Sequence, residues 1–308
     1  VPKLHSLPEL PRIGYGTATC AERCVDSIST ALDAGFRLLD TAISYQNEKA
    51  IATAFAQSKL NRDQVFIMSK IPEDAFDDVY NVVCHHIDQL ESQYLDILLM
   101  HFPGDDVGRR MTAWRAMEQL VTDGYVRHIG VSNFPMHDLS ELLASAHIRP
   151  SVVQTLFSPF HPGEVIRSSP METLIEFCAR ESIQVLGYRT VQSFTVTMAE
   201  TDGYTKTSGS LLRSQQRMLT ESPIVSRIAR DVGLTPTQVV LRWAVQRGVI
   251  PVVSSNSKHH IEENVGSLLG ADLPSHVMDV LNTFQSLVSN SNNFPNVQQL
   301  SNLAIPIM

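Results

Sequence analysis

In the stretch "LLDTAISYQNEKAI", residues 38–51, an apolar run ends in Asp40 and a phenol, Tyr45, follows five residues later. Other apolar runs also close on groups that titrate or hydrogen-bond. "FIMSKI" brings Lys70, "DILLMHFP" His101, "HIGVSNF" Ser132 and Asn133, and "SVVQ" Gln154. A carboxylate, an ammonium, a phenol and an imidazole gathered at one place can do acid–base chemistry, because each changes the acidity of the others. On the first pair alone two readings are open. Asp40 can cap or buttress a loop with Tyr45 as a half-buried aromatic, or both can belong to a polar cluster at the mouth of a barrel. One histidine at a strand end is more often structural. Core packing by itself, however, does not end successive apolar strands in ionisable groups.

Such a cluster needs strands that deliver their ends to one rim. Apolar, β-rich runs recur at residues 36–40, 65–69, 96–100, 128–132, 151–154, 184–188 and 250–254, with 12–17 as an eighth. They are nearly continuous in apolar character, as strands covered on both faces should be. Amphipathic segments alternate with them. In "TPTQVVLRWAVQRG", Thr235 stands at the N-cap, Pro236 at N1 and Gln238 at N3, a capping box before a face of Val240, Trp243 and Ala244 that Gly248 can stop. In "MTAWRAMEQLVTDG", Met111, Trp114, Met117 and Val121 face inward and Gly124 follows the end. Both tryptophans read as helix-to-barrel packing. Strands alternating with helices over 308 residues predict a single-domain α/β protein, a (β/α)8 TIM barrel spanning 1–308. A doubly wound open sheet is second, and no G-x-G-x-x-G follows a strand to favour it. Irregular stretches at 192–219 and 286–308 are expected as a long loop and a tail over the C-terminal face.

Composition narrows the function classes. A formal charge of −8 opposes general nucleic-acid binding, which needs a basic surface. No segment reaches the roughly 20 apolar residues of a membrane span, and "VPKLHSLPEL" lacks the apolar core of a signal peptide. Cys20, Cys24, Cys84 and Cys178 show no metal spacing, so reduced thiols in a cytoplasmic protein are expected. The pairs His85–His86 and His259–His260 point about 100° apart on a helix and make no chelate by themselves. No metal is expected.

The motifs "GFRLLDTAISYQNE", "FIMSK", "LDILLMHFP", "WRAMEQLVTDGYVRHIGVSNF" and "TPTQVVLRWAVQRG", in order and from end to end, closely resemble those of the aldo-keto reductase family. The resemblance implies a catalytic tetrad of Asp40, Tyr45, Lys70 and His101 that reduces an aldehyde or ketone with NADPH. Tyr45 would give the proton, with its acidity raised by Lys70, which Asp40 would hold. His101 would donate a hydrogen bond to the carbonyl. Cofactor contacts also carry over: Ser132, Asn133 and Gln154 to the nicotinamide carboxamide, Tyr188 stacking on its ring, Glu263 and Asn264 to adenine, with Thr17 and Asp40 beside them. The implied partner is a small-molecule carbonyl, the implied state a monomer or weak dimer.

The adenosine end departs from the family. Its usual isoleucine-proline-lysine-serine, and the arginine of the next helix, bind the 2′-phosphate of NADPH. Here "VVSSNSKHHIEEN" puts Ser254 at the lysine position, Ser255 at the serine and His260 at the arginine. Two cations are missing, so NADH becomes possible; Lys258 or a protonated His260 could compensate. In the pocket, Ala18 and Phe102 stand where tryptophans are common, Val153 replaces an asparagine, and "YRTV" replaces a serine-proline-leucine turn. These changes are expected to open or reshape the pocket for a bulkier substrate. Two other functions compete: a non-redox acid–base enzyme (dehydration, isomerisation or cyclisation) on the same barrel, and a cofactor-sensing regulatory subunit.

Overall fold

The computed structural model of the chain describes residues 7–159, 161, 165–166, 172–191 and 222–284. The expected loop at 192–219 and tail at 286–308 lie outside them. The strands are β1 (Gly14–Gly16), β2 (Leu38–Asp40), β3 (Phe66–Ile71), β4 (Leu95–Met100), β5 (Val126–Ser132), β6 (Val152–Leu156), β7 (Val165–Ile166), β8 (Glu172–Thr173), β9 (Gln184–Tyr188) and β10 (Val249–Val253). Eight of them close a parallel barrel in the order β1-β10-β9-β6-β5-β4-β3-β2, while β7 and β8 form a separate antiparallel pair. The helices are α1 (Cys24–Asp33), α2 (Glu48–Gln57), α3 (Val79–Gln89), α4 (Val107–Thr122), α5 (Met136–Ser145), α6 (Leu174–Arg180), α7 (Pro223–Val232), α8 (Pro236–Gln246), α9 (Lys258–Gly266) and α10 (Ser275–Asn282). The barrel expected from the alternation of strands and helices is the one observed.

Two apolar layers explain the continuous strand patterns. Leu38, Met68, Ile97, Leu99, Val152, Leu186, Ile250 and Val252 fill the barrel interior. Ile67, Leu98, Ile129 and Val153 point outward into the helix layer, where Trp114 and Trp243 are fully buried. Trp243 stacks on Phe157 at 4.9 Å, and Trp114 Nε1 donates to the Ile148 carbonyl. Both tryptophans pack helix on barrel, as expected. The capping box at Thr235 and Gln238 forms, and Gly248 follows the helix at φ 75°. At Gly130 a Cβ would lie 2.3 Å from the Val152 carbonyl oxygen, so only glycine lets β5 and β6 approach this closely.

The same period of two that fills the interior aims the site. Side chains two apart on a strand share a face. Asp40 therefore follows the inward Leu38, Lys70 follows Met68, and His101 follows Leu99. By the same step Gln154 follows Val152, Tyr188 follows Leu186 and Ser254 follows Val252. Backbone ladder bonds continue one residue past several strands, from Thr41 to the Met68 carbonyl, His101 to Ile71, and Asn133 to Gln154. Backbone pairing thus extends as far as the residues at the rim.

Candidate active site

Lys70 Nζ donates to Asp40 Oδ1 at 2.5 Å and to the Thr41 carbonyl at 2.8 Å. Both charged residues are buried, Lys70 to 1% and Asp40 to 6% exposure. Charges so far from water persist only when paired and hydrogen-bonded. Gln154 Nε2 completes the pairing by donating to Asp40 Oδ2 at 3.2 Å. The carboxylate is thus gripped through both oxygens, which fixes where the ammonium sits.

Tyr45 ends a short 3-10 turn, Ile43–Tyr45, that follows β2. Its ring centroid lies 5.3 Å from Lys70 Nζ and 6.0 Å from the His101 ring, edge to face at 78°. Burial, and then the charge on Lys70, push the His101 pKa down from 6.5 to about 4. At neutral pH the ring is therefore uncharged, with one N–H to donate. Phe102 stacks on it at 4.9 Å and 15°, fixing its plane. The four tetrad residues expected from the strand ends come together.

Beside them the Asn133 amide donates to the His101 carbonyl at 3.0 Å and to Ser132 Oγ at 3.1 Å. Its Oδ1 accepts from the Tyr188 hydroxyl at 2.6 Å. Asn133 adopts φ 59°, a left-handed turn that asparagine tolerates and that reverses the chain at the rim. Two carboxamides, a serine hydroxyl and a phenol ring form a donor set that suits a flat ring bearing a carboxamide. Thr17 is buried and donates from Oγ1 to the Asp40 carbonyl at 3.1 Å. Ala18 is exposed and Phe102 half-buried. Val153 is a correction: it is fully buried on the outward face, so its replacement of asparagine repacks the helix layer and does not reshape the pocket.

The residues expected at the adenosine end fall at the β10–α9 connection. Ser254 is exposed and its Oγ is 2.6 Å from Thr19 Oγ1. Ser255 accepts the Ser257 backbone N–H on Oγ at 3.1 Å, and its carbonyl accepts from Tyr15 at 2.8 Å. His260 is exposed, Glu263 half-buried and Asn264 buried. Lys258 opens α9 with its ammonium 3.8 Å from Glu262. Ser254 and Ser255 thus lie between β10 and α9, and Lys258 and His260 in the first turn of α9.

Several supporting residues were not legible beforehand. Asn47 accepts from Thr41 Oγ1 at 2.8 Å and donates to the carbonyl and Oγ1 of Thr17, each at 3.1 Å. It locks the turn bearing Tyr45 to the ends of β1 and β2. The "QNE" after Tyr45 was the available signal. The turn at Ala21–Arg23 brings Cys20 and Cys24 side by side, with Cα atoms 4.5 Å apart, and the Asn47 amide lies against both sulfurs. Cys84 and Cys178 are free. Among the described residues no group of three metal-ligating side chains forms, and no helix is long and apolar enough to cross a membrane.

The family model described as "Aldo/keto reductase family" matches residues 12–284. A glyoxal reductase of Bacillus subtilis (strain 168) is 30% identical over 266 residues, covering 85% of this chain and 84% of the relative. A 2,5-diketo-D-gluconic acid reductase B of Corynebacterium sp. (strain SHS752001) is 32% identical over 265 residues, covering 84% and 85%. Among solved structures, an aldose reductase from Giardia lamblia superposes with a TM-score of 0.73 at 28% identity, over 93% of this chain and 95% of that one.

Proposed function

The chain belongs to the aldo/keto reductase family and is an NAD(P)H-dependent oxidoreductase of carbonyl groups; from that premise we propose that Tyr45, Lys70, Asp40 and His101 carry the reaction. The observation that carries this reading is the buried ammonium of Lys70, held by Asp40 and Thr41 with its Nζ 5.3 Å from the Tyr45 ring. An ordinary phenol has a pKa of about 10 and is a weak acid at neutral pH. A fixed positive charge nearby stabilises the phenolate and so makes the phenol a better proton donor. Tyr45 gives its proton to the substrate oxygen as negative charge develops there, and in the opposite direction its phenolate accepts the alcohol proton. Neutral His101 donates its N–H to the same oxygen and orients the carbonyl. A bound reduced nicotinamide supplies the hydride.

Ser132, Asn133, Gln154 and Tyr188 suit the nicotinamide end, and Asn133 would exchange its Tyr188 bond for the carboxamide. We take the cofactor as NADPH, with Ser254, Ser255, Lys258, His260, Glu263 and Asn264 at its far end. NADH competes because Ser254 and His260 stand where cations would favour the 2′-phosphate. The protein is read as a cytoplasmic monomer or weak dimer acting on a small-molecule aldehyde or ketone.

The test is NADPH consumption with a generic aromatic aldehyde, together with calorimetric titration of NADPH and NADH. Wild-type turnover that falls at least a hundredfold in Tyr45→Phe, with NADPH binding retained, is the expected result. Turnover undiminished in Tyr45→Phe overturns the assignment of the proton donor.

A further inference from the structure

Behind the rim, three side chains that the mechanism does not use form an unbroken line. Ser69 Oγ is 2.7 Å from His86 Nε2, and His86 Nδ1 is 2.8 Å from Glu48 Oε1. Ser69 is fully buried and His86 only 2% exposed, so water does not reach the serine. A nucleophilic role for this serine is therefore closed off. The line has a different consequence, which follows from where its ends are attached.

Ser69 is the residue before Lys70 on β3, and the two side chains point to opposite faces of the strand. Glu48 is the first residue of α2 and stands three residues after Tyr45. His86, on α3, thus ties the start of the helix behind Tyr45 to the strand that carries Lys70. We propose that His86 is a positioning residue for proton donation: through Glu48 and Ser69 it fixes the separation of the Tyr45 phenol from the Lys70 ammonium. This rests on the reading of Tyr45 as proton donor.

Other ties share this work from the strand ends. Asn47 holds the Tyr45 turn to Thr17 and Thr41, at the ends of β1 and β2. Lys70 itself is held to Asp40 and Thr41 at the end of β2. The line through His86 braces the same turn against β3 from the helix side. Its polarity is set by the carboxylate. Burial alone would raise the Glu48 pKa, but the bond from His86, a bond from its own backbone N–H and the charges of His86 and His85 outweigh this and hold it low. Nδ1 is then the donor to Glu48, and the Ser69 hydroxyl turns to suit Nε2. A chain with every member bonded is stiff, and removing its middle leaves the buried Ser69 hydroxyl unsatisfied and Glu48 without its imidazole partner.

The experiment compares His86→Leu, His86→Gln and Ser69→Ala with wild type and Tyr45→Phe. It reads kcat against pH in the alcohol-oxidising direction, cofactor affinity by calorimetry, and the thermal midpoint. In His86→Leu we expect kcat at pH 7 to fall at least tenfold and its pH profile to move upward by about one unit. Cofactor affinity stays within threefold. Glutamine can donate to Glu48 and accept from Ser69, so His86→Gln should restore most of the profile; Ser69→Ala should show a smaller shift in the same sense. If His86→Leu does not fold, the other two variants carry the test. A lowered midpoint with an unmoved pH profile in every folded variant refutes the proposal and leaves His86 a packing residue. An active Tyr45→Phe instead refutes the underlying assignment, whatever the His86 variants do.

Discussion

Replacing Lys70 by methionine removes the ammonium while keeping most of the side-chain volume, and its effects on activity and on stability can be worked out separately. The Nζ lies 5.3 Å from the Tyr45 ring. At an effective dielectric of about 20, a unit charge at that separation contributes about 3 kcal/mol to a phenolate. That corresponds to about two pKa units on Tyr45. In the oxidation direction the phenolate is the base, so kcat rises with pH through the tyrosine pKa. Lys70→Met should move that rise upward by about two units and cost about a hundredfold at pH 7. The assay is kcat against pH with saturating alcohol and oxidised cofactor. A rise at the same pH as in wild type refutes the electrostatic account of Tyr45.

The stability effect has a different origin. Lys70→Met strands Asp40, whose carboxylate then keeps, among the described residues, only the Gln154 amide at 3.2 Å. Breaking a buried pair from one side costs about 3–5 kcal/mol. Changing Asp40 to asparagine as well removes the stranded charge, so the double variant should regain much of the stability in denaturant unfolding. It should regain none of the activity. A double variant that recovers both would place the role of the pair in folding alone.

Three further outcomes are expected. Ser254→Lys with His260→Arg adds two charge-assisted bonds, each contributing about 1.5–3 kcal/mol, and should raise the NADPH-over-NADH affinity ratio at least tenfold by calorimetry; an unchanged ratio would show that the 2′-phosphate is held elsewhere. The unfolded chain protonates the His101 ring near 6.5 and the folded chain near 4, so the stability this neutral ring contributes is complete above the first value and is lost as pH falls toward the second. An NMR titration that finds this imidazole charged at pH 6 contradicts it, and His101→Asn should flatten the acid limb of stability. Burial, then Glu172 and Glu181, push the Cys178 thiol up to about 12, so its alkylation in the folded protein should be slow.

The rim was legible because a strand repeats every two residues. Once Leu38, Met68 and Leu99 are placed inside a barrel, Asp40, Lys70 and His101 must emerge at its mouth on the same face. The same parity corrects Val153: next to Gln154 in sequence, it faces the helices. The ties behind the rim are of another kind. Asn47 meets Thr17 across 30 residues, and His86 meets Glu48 across 38 and Ser69 across 17. No periodicity encodes such meetings, since they depend on how α2 and α3 pack against β3. The pair His85–His86 makes no chelate by itself, and its second member has a partner on each side that only the fold supplies. Residue type at a strand end states which proton can move. The distance between phenol and ammonium, set by side chains on the far side of the strand, decides how readily it moves.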